Sequence, residues 1–250
     1  DEREETPWPV IQEAAKIGLY GFEFLVNTWA DMAGLSLPLI NEELFWGDGG
    51  IGMAISGTSL AVAAIYGSGT PEQLVEWVPQ CFGDEADPKL GAFAVSEAEA
   101  GSDPAGLRTS ARRDGDGWVI NGSKRYITNA PLADLFVVFA RSDPQEKGGR
   151  GISSFVVDAK APGVSLGAKD EKMGQSGAWT SEVFFDDVRV PADALVGEEG
   201  RGYSKALTVL SRGRLHIAAQ CVGMAQRVLD ESVAHAATAR QGGAPIGRFQ

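Results

Sequence analysis

Ligand-grade chemistry is densest in Ala94-Val95-Ser96-Glu97-Ala98-Glu99-Ala100-Gly101-Ser102-Asp103-Pro104-Ala105-Gly106, a loop set between two extended apolar runs. Small side chains let the main chain approach a bound molecule closely. Successive N–H groups beside Ser102 can cradle a pyrophosphate. An ordinary Gly/Ser/Asp/Pro turn uses the same residue types, so the loop gains meaning from what accompanies it. Lys124-Arg125-Tyr126-Ile127-Thr128-Asn129 follows Asn121-Gly122, a dipeptide that marks a tight hairpin turn. Phe184-Phe185-Asp186-Asp187-Val188-Arg189-Val190-Pro191 comes next, and then Gly213-Arg214 within a long helical pattern.

Other chemistries find less support. A net charge of −12 disfavours nucleic-acid and anionic-membrane surfaces, although a local phosphate site remains compatible with it. No uninterrupted apolar run reaches membrane-spanning length, and the charged start Asp1-Glu2-Arg3-Glu4-Glu5 reads as neither signal nor transit peptide. Cys81 and Cys221 lack metal spacing and read as buried free thiols in a reducing compartment. His216 and His235 fall in one helical stretch with no nucleophile motif beside them, so a packing or surface role is the expectation, and no metal site. Gly47, Gly49 and Gly52 spell a G-x-G-x-x-G fingerprint, but the segment before it, Ile40 to Phe45, is helical in pattern where a dinucleotide site requires a strand. These glycines are expected to join two helices.

The elements that must position the motifs follow from periodicity. Residues 7 to about 90 read as helices. One opens with Pro9 in its first turn, one runs from Ser36 to Phe45, and one, apolar all round, runs from Gly52 to Tyr66. A further helix starts with Thr70 as N-cap, Pro71 at N1 and Gln73 at N3, close to a capping box. From about Leu90 the pattern changes to short β-rich runs at Trp118–Ile120, Leu135–Ala140, Ile152–Val157 and Glu182–Phe185, separated by turn residues. Strands do not alternate with helices, which disfavours a doubly wound nucleotide fold. After Gly200 a helical period returns, with Leu207, Leu210, Arg214, Ile217, Cys221, Met224 and Val228 on one side of a helix extending to Arg240. Gly213 and Gly223 within it are expected to have packing or ligand reasons. The expected fold is α+β: a helical domain over 1–90, an antiparallel β-barrel or sandwich over 91–198, and the incomplete start of a C-terminal helical bundle over 199–250.

In this order the four blocks resemble the acyl-CoA dehydrogenase family of flavoproteins, from near Trp8 to Gln250. The resemblance implies FAD as cofactor. Phe93 and Val95 would offer backbone groups to the isoalloxazine edge, Ser96 its hydroxyl, Tyr126 an aromatic wall where relatives often carry tryptophan, and Thr128 a hydroxyl toward flavin N5. Ser102 would lie by the pyrophosphate and the thioester end of the substrate, and Arg214 near the active site. Glu97 is expected to be structural. The implied activity is α,β-dehydrogenation of an acyl-CoA thioester to the trans-2-enoyl-CoA, as in fatty-acid β-oxidation. Electrons would pass to an electron-transfer flavoprotein, from a homotetramer or heterotetramer in the bacterial cytoplasm or the mitochondrial matrix.

Departures from the pattern sharpen the alternatives. Ser211 stands where several relatives carry aspartate. Ala239 and Gly242 stand where an arginine and a phenylalanine reach a neighbouring subunit's flavin, with Arg240 offset by one. Gly213 occupies the position that holds the catalytic glutamate in some relatives, so no catalytic base is read within the chain and the glutamate is expected beyond Gln250. Met53 and Ser56 imply an acyl tunnel of different depth or polarity. Two other readings stay open: an oxygen-using oxidase or monooxygenase on the same fold, and a non-catalytic or half-site subunit of a mixed tetramer.

Overall fold

The computed structural model describes residues 5–249; Asp1 to Glu4 of the charged start, and Gln250, lie outside them. Six helices come first: α1 (Trp8–Lys16), α2 (Phe22–Trp29), α3 (Ser36–Gly47), α4 (Gly49–Ser56), α5 (Ser59–Tyr66) and α6 (Pro71–Phe82). Their boundaries have local causes. The Asp48 carboxylate accepts from the Gly50 and Ile51 N–H groups, both at 2.8 Å, and so ends α3 and starts α4. The G-x-G-x-x-G glycines therefore do join two helices. Gly52 also allows contact, since a Cβ there would sit 2.8 Å from the Phe45 ring. Thr70 and Gln73 form a full capping box at α6. The buried Gln73 side chain reaches on to the carbonyls of Asp193 (2.6 Å) and Leu195 (2.8 Å), tying the helical layer to the end of the sheet.

The expected Gly52–Tyr66 helix is two helices, broken at Gly57-Thr58. Thr58 is fully buried at the break. Its hydroxyl oxygen accepts from Gly91 N–H at 3.2 Å and pairs with the Tyr20 hydroxyl at 3.1 Å, so it is drawn toward the sheet. By length and composition Gly49–Tyr66 could cross a membrane, which the count of uninterrupted apolar residues had missed; 56% of the stretch is buried inside the protein.

The sheet has seven strands: β1 (Gly91–Ala94), β2 (Ser110–Asp114), β3 (Gly117–Thr128), β4 (Leu135–Arg141), β5 (Ile152–Asp158), β6 (Val164–Leu166) and β7 (Thr180–Val190). The order is β1-β4-β2-β3-β7-β6, with β5 also paired to β4. The all-antiparallel expectation needs one correction: β1 runs parallel to β4 and β2 meets β4 in parallel at one residue pair, the remaining pairs being antiparallel. Strand β4 is buried on both faces. Leu135, Val137 and Phe139 face the helical layer, and Phe136, Val138 and Ala140 face the interior of the curled sheet. Burying each of these large side chains is worth about 1.5–3 kcal/mol.

The hairpin turn lies at Asp114–Gly117, with Gly115 at φ +63°, and not at Asn121-Gly122. The Asn-Gly pair instead sits in mid-strand, where the β3–β7 register shifts. Gly122 has φ +144°, and a Cβ there would lie 2.6 Å from the Thr109 hydroxyl. The residue is glycine for a bulge rather than a turn.

Helix α7 (Gly202–Thr238) has 37 residues, about 55 Å at 1.5 Å per residue. Its buried positions are Gly202, Ala206, Gln220 and Gly223, while Leu207, Ile217, Cys221 and Val228 are exposed. The side of the helix that carries the apolar stripe is therefore not the side that packs on α3, and Cys221 is exposed where a buried thiol was expected; Cys81 is buried. Close approach to α3 decides the rotation: a Cβ on Gly223 would sit 2.0 Å from the Glu42 carbonyl oxygen, so only glycine lets the helices meet there. A short hairpin, Arg240–Gln241 with Ala244–Pro245, follows through Gly242-Gly243.

Candidate functional site

The loop after β1 is braced from below by a buried ion pair. The Lys124 side chain is fully buried, and its ammonium donates to the Glu97 carboxylate at 2.8 Å and to the Val95 carbonyl at 3.2 Å. Glu97 also accepts from Arg108 N–H (2.6 Å), Thr109 N–H (3.0 Å) and the Thr109 hydroxyl (2.6 Å). One carboxylate thus closes both ends of the loop, which confirms Glu97 as structural. Burial lowers the Lys124 pKa to about 8, against the upward pull of Glu97. Burial alone would raise the Glu97 carboxyl; Lys124, the Thr109 hydroxyl and the Arg108 N–H outweigh it and hold the group below the usual carboxylate range.

The second motif meets this loop through its backbone. Arg125 N–H donates to the Ser96 carbonyl at 2.9 Å, bringing the Tyr126–Thr128 segment beside Ser96. Between Lys124, opposite Val183, and Ile127, opposite Ser181, two residues of β3 face one of β7. In this bulge Tyr126 has φ +58° and is 66% exposed. Asn129, also left-handed at φ +68°, ends the strand; its side chain donates to the Gly91 carbonyl at 3.1 Å and its N–H to the Trp179 carbonyl at 2.8 Å. Thr128 is thereby held between two pinned residues, one of them fully inside the fold.

The bonds from Lys124 to the Val95 carbonyl and from Arg125 N–H to the Ser96 carbonyl set Val95 and Ser96 beside the Tyr126–Thr128 segment, and Phe93 precedes them at the end of β1. Phe93 also packs on Phe139 with ring centroids 4.9 Å apart. Ser102 stands exposed in the adjoining loop. The hydroxyls of Ser96, Ser102 and Thr128 carry no hydrogen bond to any described residue. Arg214 is apart from this group: it is exposed on α7 and engages no described side chain. Ser56 lines a small cavity of about 30 Å³ with Tyr20, Asn41 and Phe82. A larger one, about 220 Å³, lies between α5 and α7, lined by Leu60, Tyr66, Arg212, Gly213 and His216. Burial lowers the His216 pKa, and its Nδ1 has no partner. No group of three or more His, Cys, Asp or Glu side chains suited to a metal occurs among the described residues.

Sequence reasoning named residues of the loop and of the end of β3, and missed Lys124 beneath them. Lys124 reads in sequence as a solvent-facing strand residue. Its burial could be inferred only by pairing it with a carboxylate in a distant loop.

A curled sheet carrying an open hydroxyl-bearing loop, set against one helical layer and backed by a long helix, defines a three-part α+β scaffold. The chain belongs to the acyl-CoA dehydrogenase family, a family of oxidoreductase flavoproteins. It matches the N-terminal domain of that family over residues 1–85, the middle domain over 92–188 and the C-terminal domain over 200–250. It is 38% identical over 96% of its length to the short-chain specific acyl-CoA dehydrogenase of Megasphaera elsdenii, covering 63% of that protein. It is 37% identical over its whole length to a subunit of the caffeyl-CoA reductase–Etf complex of Acetobacterium woodii, covering 65% of it. Among solved structures, a glutaryl-CoA dehydrogenase in complex with glutaryl-CoA superposes with a TM-score of 0.89 at 31% identity, over all of this chain and 64% of that one. The chain thus spans just under two thirds of the length of these relatives.

Proposed function

We propose that the protein is an FAD-dependent acyl-CoA dehydrogenase that converts an acyl-CoA thioester to the trans-2-enoyl-CoA. The carrying observation is the braced loop: its backbone is fixed by Lys124 and Glu97 while the Ser96, Ser102 and Thr128 hydroxyls have no partner among the described residues. The residues fit the cofactor. Cβ atoms on Gly101 and Gly106 would meet nothing within 4 Å, so the loop is open to its surroundings at both positions. Tyr126 offers an exposed ring beside it.

FAD, when bound, would supply hydride acceptance from the substrate's β-carbon. The chain's own part is binding, orientation and charge. The backbone at Phe93 and Val95 and the Ser96 and Thr128 hydroxyls hold the ring system by hydrogen bonds, and donors at the pyrimidine edge favour a negatively charged ring. Ser102 and the N–H groups after Gly101 bind pyrophosphate. Arg214 orders the substrate on α7. The α-proton goes to a carboxylate proposed to stand in the stretch where the relatives are longer, since Gly213 has no side chain for it. The neighbours named for electron-transferring flavoproteins support an electron-transfer flavoprotein as acceptor, and a tetramer is proposed as the assembly.

An anaerobic visible spectrum of the full-length protein, titrated with acyl-CoA thioesters of graded length and branching, tests the reading. One chain type should bleach a bound flavin band. A protein that takes up FAD but is bleached by no thioester would favour the second reading, a partner subunit in a mixed tetramer, which Ser211, Ala239 and Gly242 support.

A further inference from the structure

The bulge that presents Tyr126 carries a device of its own. Glu182 is the single β7 residue facing the pair Arg125 and Tyr126. Its carboxylate takes the Arg125 guanidinium at 2.6 Å, and that guanidinium lies over the Tyr126 ring, 4.9 Å from its centroid. Tyrosine at φ +58° is in the left-handed region, a conformation the surroundings must impose. They do so from both sides, since Lys124 and Ile127 flank the bulge and are both buried. The result is a strained, mostly exposed aromatic ring with a fixed cation against it.

We propose that Arg125 is a positioning residue for the cofactor: held by Glu182, it fixes the Tyr126 ring as a platform and backs that platform with positive charge, favouring an electron-rich planar ring system such as reduced flavin. The proposal rests on the flavin reading above. The cation on the Tyr126 ring is present without FAD as well, so its effect on FAD comes through ordering and polarising the ring, with about two- to fivefold in binding as the ceiling. Arginine suits the place because its planar fork can pair with Glu182 and stack on the ring together, which lysine cannot do.

The test uses the full-length holoprotein and the variants Arg125→Met, Arg125→Lys and Glu182→Gln. FAD affinity, the visible flavin band and the flavin midpoint potential are measured for each. Arg125→Met should weaken FAD by up to about fivefold, shift the band and lower the potential. Arg125→Lys should recover the potential more than the affinity, because it restores charge without the stacking fork. Glu182→Gln should fall between wild type and Arg125→Met. A merely structural ion pair would change Tm alone. If all three variants keep wild-type affinity, band and potential, the proposal is overturned while the flavin reading stands. If the wild-type protein neither carries nor takes up FAD, both fall.

Discussion

The sheet and the long helix were both expected to carry site residues, and they are supported in different ways. Under the loop after β1, support is polar and directional: one carboxylate and one ammonium, nearly or fully buried, close it through bonds of 2.6 to 3.2 Å. Under α7, support is mainly steric, joined by a buried bond from the Gln220 amide to Asn41 Oδ1 at 3.2 Å and one from the Trp46 indole to Asp230 at 3.0 Å. Gly202 and Gly223 let its backbone meet β5 and α3, where a Cβ would fall 2.5 and 2.0 Å from main-chain atoms. Directional bonds fix where individual groups point, as a cofactor cradle requires. Glycine contacts fix only the height and rotation of a rod, and leave its outer face, with Arg214 and Ser211, free of described partners.

The largest break in this contrast should come from Glu97→Ala. It strands the Lys124 ammonium inside the protein, a loss of about 3–5 kcal/mol, read as a fall in Tm together with lost FAD retention. Glu97→Ala with Lys124→Met should be milder than the single change, because no unpaired charge remains. Acid provides a reversible version. The folded state holds the Glu97 carboxyl below its ordinary value of 4.5, so its contribution is complete above that pH and is lost as pH falls through the folded pKa. Glu97→Gln should flatten the acid limb of Tm against pH. An unchanged limb would place the pair outside the stability of the fold.

On the helix side, Gly223→Ala should cost about 2–3 kcal/mol by forcing α3 and α7 apart. It should leave isolated flavin binding to the sheet nearly intact, the opposite pattern to Glu97→Ala. Equal loss of FAD in both variants would show that the two supports act as one. Asn129→Ala comes next, at about 2 kcal/mol, because it combines a left-handed backbone with a lost bond to the Gly91 carbonyl. Asn129→Gly keeps the backbone and should lose less. The difference between the two in urea midpoints measures the conformational part.

How much of this was legible in sequence follows the same division. Features set by neighbours along the chain were readable: the capping box at Thr70 and Gln73, the helical context of Gly47 to Gly52, and the β-rich run that forms β4. Features set by distant partners were not. Asn121-Gly122 has the composition of a turn, but the turn went to Gly115-Asp116, and Gly122 is needed because Thr109 presses on it. The side of α7 that meets α3 was not legible from its apolar residues, since Leu207 and Ile217 are exposed and packing follows Gly223, for which a packing or ligand reason was expected. Parallel pairing of β1 with β4 leaves no local mark, and Lys124 shows why a charged residue in a strand cannot be assigned to solvent by type alone.

The smallest effect separates the two glycines of α7. Gly213 shares the helix with Gly223, yet a Cβ there would meet only Leu60 Cδ2, at 3.8 Å. Packing therefore gives no reason for glycine at this position. Gly213→Ala should stabilise the protein by up to about 1 kcal/mol through helix propensity alone, a rise of about 2–4 °C in Tm. If the variant is more stable and dehydrogenates acyl-CoA as well as wild type, the residue is neutral. If stability rises while turnover falls or chain-length preference shifts, Gly213 is kept for the space it leaves beside the α5–α7 cavity. A fall in stability would mean that α7 is held more tightly at this point than its contacts indicate, and the contrast between a polar cradle and a sterically seated rod would need revision there first.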